Sequence, residues 1–161
     1  MKIFGFLVLL IALILCLSKP AVSITTDTGA TQSEAFWYRF QTTIESHLDR
    51  PYVWGASGLK SFDCSGFVWR VMSESGVFIK RTTARKLYLS LPAAEKGQEY
   101  MPGNVVFFDD LKHCGIVSNA QIFYHAKSSK GTTLDRFDPY WRQKVIGFRA
   151  VPVPGINLEK S

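Results

Sequence analysis

The chain has 161 residues, a formal charge of +6 and a hydrophobic content of 47%. A chain of this length can build one domain with a substantial core but not two. No stripe of basic and aromatic residues indicates a nucleic-acid partner.

The first 23 residues have the pattern of a secretory signal peptide. Lys2 supplies a short positive region, residues 3–17 are almost all apolar, and Ala21-Val22-Ser23 fits a cleavage site with small residues. Such a run is too short for a comfortable membrane span, which takes roughly 20 residues. We therefore expect a protein exported to the periplasm or outside the cell. Two alternatives are an uncleaved anchor and lipid attachment at Cys16, which the bulky Leu15 before it disfavours.

Removal of residues 1–23, which contain two lysines and no acidic residue, leaves 138 residues with a formal charge of +4. No repeat, low-complexity tract or linker rich in proline and glycine divides residues 24–161. We predict a single domain there, with its core at about 33–151, acting as a monomer. The modest positive charge suits contact with anionic polymers of a cell envelope, although it is also common on surfaces without a charged partner.

The first predicted helix follows Thr31-Gln32-Ser33-Glu34, which has the form of a capping box. Apolar residues then recur every four positions: Phe36, Phe40, Ile44 and Leu48. This spacing predicts an amphipathic helix, preceded by an irregular segment at 24–30 and ended by Pro51. His47 is interpreted as a favourable partner of the negative helix end rather than a catalytic group. Residues 52–61 are predicted to form a loop.

A cysteine stands at the predicted start of the next helix, which runs from Cys64 to Ser75 between a good N-cap residue, Asp63, and a helix stop, Gly76. A thiol in the first turn lies near unpaired N–H groups and the positive end of the helix dipole. Both lower its pKa and favour the thiolate. Cys64 is therefore a candidate nucleophile, and the alternative is a buried structural cysteine.

A short helix at about 83–91 and four strands follow. Apolar runs predict strands at 104–108, 113–118, 121–126 and 144–151, and the short connection at 119–120 predicts an antiparallel hairpin between the second and third. Because helices come first and strands later, we predict an α+β fold with helices packed against an antiparallel sheet.

Two histidines on predicted strands complete a possible catalytic set. His113 is interpreted as the base that takes the thiol proton, and Gly115 on the same strand face leaves room for an approaching group. His125 is interpreted as the acceptor that orients the His113 ring. Both could instead be ordinary residues of buried strands. Because protonation would remove the acceptor on His125, activity is expected to fall steeply as pH drops through the histidine range.

The second cysteine of the predicted domain, Cys114, is expected to face away from Cys64. Neighbouring residues on a strand point to opposite faces, and His113 is assigned to the side of Cys64. This argues against a disulfide even in an oxidising compartment, so Cys114 is interpreted as a small buried hydrophobic residue. No pair of Cys and His has the close spacing of zinc ligands, so we expect no metal.

Short motifs follow one another in a specific order along the chain: PYVWG at 51–55, FDCSGFV at 62–68, RT at 81–82, PGNVVFF at 102–108, HCGIV at 113–117, YHA at 124–126, DPYW at 138–141 and GFR at 147–149. This set resembles the motifs of the NlpC-like cell-wall cysteine peptidases. Each motif is weak alone, but the ordered set is specific and covers about 50–151. Two positions depart from the family pattern: Asn104 replaces the usual aspartate, and Cys114 replaces an aliphatic residue.

The resemblance implies a compact papain-like domain, a Cys64-His113-His125 triad and no cofactor. It also implies hydrolysis of peptidoglycan stem peptides between D-glutamate, through its γ-carboxyl group, and the following diamino acid. Tyr52 would lie near the oxyanion or the substrate, or else cover the core as a loop aromatic.

Three further residues are implied as substrate contacts. Asp63 and Ser65 would bind polar ends of the substrate, and Arg81 would meet a substrate carboxylate or remain solvated. The backbone N–H of Cys64 is a candidate donor to the oxyanion. The alternatives for the whole domain are an amidase or acyl transferase with the same triad, a toxin delivered to rival cells, and a non-catalytic module that binds wall peptides.

Overall fold

The computed structural model describes residues 28–155. The predicted signal segment and Cys16 lie outside these residues. Within them, no helix combines the length and the apolar character that a membrane crossing requires.

The described chain begins with three helices: α1 at Thr28–Ser46, α2 at Cys64–Glu74 and α3 at Ala84–Ser90. Three strands follow: β1 at Val105–Phe108, β2 at His113–Val117 and β3 at Ile122–Lys127. The remaining elements are β4 at Gly131–Arg136, a short helix α4 at Pro139–Arg142 and β5 at Val145–Arg149.

The five strands form one antiparallel sheet in the order β4-β3-β2-β1-β5. The predicted helices and strands are confirmed with small shifts of their ends, as is the hairpin of β2 and β3. The predicted irregular segment at 24–30 is wrong for its last three residues, which already belong to α1. The predicted capping box at residues 31–34 is wrong for the same reason, since these residues lie inside the helix and do not cap it. Both β4 and α4 are additions to the prediction.

One face of the sheet packs against the helices. The apolar stripe of α1 is buried there, with Phe36, Phe40 and Ile44 each 1% exposed. The same cluster contains the buried side of α2 and the sheet residues Cys114 and Ile116. The helices therefore lie on the face of β2 to which Cys114 points.

The other face of the sheet carries a smaller aromatic cluster of Val106, Phe108, Val117, Phe123 and Phe137. Because side chains alternate along a strand, this face also receives His113 and His125, whose rings lie 6.0 Å from the Phe108 ring and 4.8 Å from the Phe123 ring. The two histidines thus lie across the sheet from α1, α2 and α3, on the side that carries α4.

The start of α2 is fixed by a capped and crowded turn. The Asp63 carboxylate accepts a hydrogen bond of 2.6 Å from the backbone N–H of Gly66. A Cβ atom at Gly66 would lie 2.0 Å from the carbonyl oxygen of Ala56, so only glycine fits there. Together these contacts hold the first residue of the helix, Cys64, in one position.

His47 follows the last residue of α1, and its side chain contacts a carboxylate of the next helix. Its Nε2 atom lies 2.8 Å from Oε2 of Glu74 at the end of α2. The residue therefore links the two helices, far along the chain from the other histidines.

Candidate active site

The Cys64 side chain is 7% exposed and sits at the junction of α2 with the start of β2. Its Sγ atom lies 3.8 Å from the carbonyl oxygen of Lys112. The pKa of Cys64 is lowered to about 5. A hydrogen bond from Cys114 lowers this pKa most, and the hydrogen bond and positive charge of His113 lower it further. Burial of the thiol and the negative charge of Asp63 act in the opposite direction. The sulfur is therefore largely a thiolate at neutral pH.

The prediction that Cys114 faces away from Cys64 is wrong. The alternation along β2 holds, but α2 covers the face that carries Cys114, so its thiol lies against that of Cys64. His113 is on the opposite face and is the first residue of the strand, so its ring reaches the sulfur past the strand end. Burial, and then the neighbouring Cys64, raise the pKa of Cys114. Both cysteines are free thiols, and Cys114 is completely buried, as expected.

The two histidines are in direct contact. Nε2 of His113 lies 2.8 Å from Nδ1 of His125, and the two rings are nearly perpendicular at 83°. Gly115 lets β3 come this close: a Cβ atom there would lie 2.6 Å from the carbonyl oxygen of Tyr124, 2.9 Å from the Phe123 ring and 3.2 Å from Cβ of His125. The room that Gly115 leaves is therefore filled by β3, which carries the second histidine.

A carboxylate that the sequence prediction did not include extends this chain of contacts. Nε2 of His125 lies 3.1 Å from Oδ2 of Asp135 on β4. The same oxygen accepts hydrogen bonds from Nζ of Lys127 at 2.5 Å and from Nε1 of Trp141 at 3.3 Å. A line of polar groups thus runs from Cys64 through both imidazoles to Asp135.

The second histidine is held neutral. Burial, and then the positive charge of His113, lower the pKa of His125 to about 3, against the opposing effect of Asp135. Burial raises the pKa of Asp135, but the hydrogen bond and charge of Lys127 and the hydrogen bond from His125 outweigh it, so the net shift is downward. The sequence suggested that protonation of His125 would set an acid limit in the ordinary histidine range, and the low pKa of this residue makes that expectation wrong. That limit moves to the Cys64 thiol near pH 5.

The three other polar residues named from the sequence form one cluster. Nη2 of Arg81 donates to both carboxylate oxygens of Asp63, at 2.9 and 2.8 Å. Nη1 of Arg81 donates to Oγ of Ser65 at 3.0 Å. The alternative of a solvated Arg81 is therefore wrong, because both of its Nη atoms donate to groups of the protein, namely Asp63, Ser65 and the carbonyl of Thr82. Among residues 28–155, its buried Nε atom finds no hydrogen-bond acceptor.

Tyr52 lies at the boundary between two cavities that meet above Cys64 and His113. Burial, and then the negative charge of Cys64, raise the pKa of its hydroxyl. A cavity of about 400 Å³ on the cysteine side is lined by residues that include Tyr52, Trp54, Asp63, Cys64, Ser65 and Arg81. A cavity of about 950 Å³ on the other side is lined by residues that include Tyr52, Lys112, His113, Ser128, Asp135 and Trp141. A substrate lying across both would pass over the thiol.

Iodoacetamide is expected to alkylate Cys64 at a rate that rises around pH 5, because the thiolate is the reactive form. Cys114 should stay unmodified until the protein unfolds, since it is completely buried and its pKa is raised. Mapping labelled peptides by mass against pH measures both sites.

Two variants test the source of the low pKa of Cys64. Cys114→Ala removes the hydrogen bond that lowers it most, so the midpoint of alkylation should move to higher pH. Cys114→Ser keeps a donor and should stay near the wild-type midpoint. Equal midpoints in all three proteins would contradict this account of the thiolate.

The amino-acid sequence is similar to those of a known protein family. The sequence profile of the NlpC/P60 family matches residues 49–150. The chain is 29% identical over 138 residues to a probable endopeptidase p60 of Listeria grayi, covering 83% of this chain and 26% of that protein. It is 31% identical over 113 residues to a gamma-DL-glutamyl hydrolase of Bacillus subtilis, covering 65% of this chain and 27% of that protein. The chain thus spans about a quarter of the length of these relatives.

The fold also matches solved structures. A lipoprotein-like member of the NLP/P60 family from Staphylococcus aureus superposes with a TM-score of 0.64 at 25% identity, covering 73% of this chain and 42% of that one. This likeness confirms the predicted α+β class, with helices packed against an antiparallel sheet.

Proposed function

Since the chain belongs to the NlpC/P60 family of papain-like fold, we propose that it is a cysteine peptidase that hydrolyses peptides of peptidoglycan. The observation that carries the proposal is the position of Cys64 at a helix start, where the neighbouring His113 of a hydrogen-bonded histidine pair helps to lower its pKa. The names of the relatives, an endopeptidase and a gamma-DL-glutamyl hydrolase, support the same chemistry.

In the proposed reaction, Cys64 attacks the carbonyl carbon of an amide and His113 holds the proton that leaves the thiol. The backbone N–H of Cys64, at the helix start, donates to the oxyanion that forms. The His113 imidazolium then gives its proton to the nitrogen of the leaving amine as the C–N bond breaks. Water, deprotonated by His113, hydrolyses the thioester and frees Cys64. His125 keeps the His113 ring in place throughout.

We further propose that the bond cut is the one between γ-linked D-glutamate and the following diamino acid. The α-carboxylate of such a glutamate stays free beside the scissile bond, and a positively charged partner suits it. Arg81 brings its guanidinium charge to the cavity that contains Cys64, with Ser65 beside it. Asp63 holds Arg81 for this contact, and Tyr52 closes the cavity at the boundary above the thiol.

The remaining proposals concern export, the extent of the domain, contact with the cell envelope and the oligomeric state. We propose export directed by residues 1–23, a single domain at 24–161, contact with the cell envelope and action as a monomer. No nucleic acid, metal or cofactor takes part in the proposed reaction.

Digestion of purified sacculi by the purified protein is expected to release fragments that end in D-glutamate and fragments that begin with the diamino acid. Mass analysis of the soluble products, compared with those of Cys64→Ala, measures this. Fragments cut at the sugar–peptide bond would instead indicate an amidase, and new peptide–peptide products an acyl transferase. Retention on sacculi without any released fragment would indicate a binding module.

A further inference from the structure

Asp135 is the end of the polar line that begins at Cys64. It lies on the edge strand β4, and its side chain is 21% exposed, whereas that of His125 is completely buried. The strand register pairs His125 with Thr133, so Asp135, two residues further on, is a diagonal neighbour of His125 on the same face. One carboxylate oxygen of Asp135 therefore meets the outer nitrogen of the second imidazole.

We propose that Asp135 is a positioning residue that fixes the tautomers of both histidines, so that His113 presents the lone pair of its Nδ1 to the Cys64 thiol. The inference rests on the proposed function for its effect on turnover, but not for its effect on the histidines.

The assignment follows from counting protons along the line. A carboxylate only accepts, so Nε2 of His125 carries a hydrogen and donates it to Oδ2 of Asp135. A neutral imidazole has one N–H, so Nδ1 of His125 must accept, and Nε2 of His113 donates to it. The remaining nitrogen of a neutral His113 is Nδ1, and it is left without a hydrogen. It can therefore receive the proton of Cys64.

The same arrangement suits the state after proton transfer. His113 then carries a hydrogen on both nitrogens, and Nδ1 of His125 still accepts from Nε2. With the opposite tautomer, His125 would point an N–H at His113 and oppose the imidazolium. The low pKa of His125, due first to burial, supports its remaining a neutral acceptor.

Asp135 acts on His125 mainly by fixing which ring nitrogen carries the hydrogen, and much less through its negative charge. Lys127 places its ammonium 2.5 Å from the same carboxylate oxygen, so the pair carries little net charge toward the histidines. The titratable groups beside the line are Cys114, Asp63 and Tyr52 at its Cys64 end and Lys127 at its Asp135 end. Trp141 from α4 adds an indole N–H and stacks on His113 at 27°, which holds the ring plane.

The direct test is the ¹⁵N spectrum of the imidazoles in the wild-type protein near pH 7. We expect His125 with its hydrogen on Nε2 and a bare Nδ1. In Asp135→Asn, the amide can donate to His125, so the tautomer is expected to invert or mix. Lys127→Met removes the ammonium that donates to the same oxygen, and both histidines should keep their hydrogens on the same nitrogens as in the wild type.

The functional readouts are the pH dependence of Cys64 alkylation and the kinetics of peptide hydrolysis. Asp135→Asn should move the alkylation midpoint to higher pH, because the imidazolium loses its acceptor. It should lower kcat by about 10²-fold and leave KM nearly unchanged. This loss is smaller than the roughly 10⁴-fold loss of kcat that follows when the residue directly orienting a catalytic histidine is changed and the wrong tautomer forms, because Asp135 acts on His113 only through His125. Asp135→Glu, which restores an acceptor, should recover part of this loss.

A wild-type His125 with its hydrogen on Nδ1 would overturn the inference without any variant. The inference would also be overturned if Asp135→Asn had the same imidazole ¹⁵N spectrum and the same pH profile of Cys64 alkylation as the wild type. If the spectra and alkylation behave as expected but sacculi are not digested, the proposed function fails while the assignment of Asp135 stands.

Discussion

Cys64→Ala is expected to lower kcat/KM for peptidoglycan peptides by about 10⁴-fold or more, because the covalent route is lost entirely. The fold should persist, since the substitution removes one sulfur atom at a helix start that the Asp63 and Gly66 contacts still define. The loss of turbidity of purified sacculi, followed beside the thermal unfolding of the same samples, measures both effects.

The matched control for this variant is Cys114→Ala, which removes the second thiol of the contacting pair and leaves the first. It should still digest sacculi above neutral pH, where Cys64 ionises without help. Turnover by Cys64→Ala equal to that of the wild type would remove Cys64 from the mechanism. A Cys64→Ala protein that does not fold would favour a structural role for the buried thiol.

His113→Ala is expected to reduce turnover nearly as much, by about 10³-fold or more, since groups that act as a unit have non-additive losses. The double variant with Cys64→Ala should then be no worse than the single one. In the wild type, activity should be present above about pH 5 and be lost as pH falls, because protonation of Cys64 ends it. Without His113, the thiol pKa should rise, and the residual activity should need a higher pH.

His47→Gln is the matched control, since it changes a histidine outside the site. It removes the contact with Glu74 between α1 and α2, so it should lower thermal stability but leave the pH profile of turnover in place. A His113→Ala protein with a wild-type pH profile would show that another base serves Cys64.

The fold was largely predictable because its strongest signals are local. The four-residue spacing of Phe36, Phe40 and Ile44 and the Asp63 cap are properties of short segments, and the structure places them as expected. The strand β4 was missed because most of its residues are polar and its second half is partly exposed, as an edge strand permits, so no apolar run marked it. The only local hint was Gly131 followed by two threonines.

The residues of the site were predictable because the order of the motifs along the chain resembles that of the family. Strand alternation correctly separated Cys114 from His113, but it could not tell which face α2 would cover. The contact of Arg81 with Asp63 joins residues 18 positions apart through a loop, and no periodicity encodes such a pairing. Asp135 depended on the missed strand, because only the β3–β4 register brings it beside His125.

The division of the cleft into two cavities has a kinetic consequence. The half of the peptide that becomes the thioester would stay in the smaller cavity with Cys64, while the released amine would lie in the larger one beside His113. The amine would then leave first, and water would enter through the space it vacates. A second amine able to fill that space would compete with water for the thioester, so the balance between hydrolysis and peptide transfer would depend on how quickly the larger cavity empties.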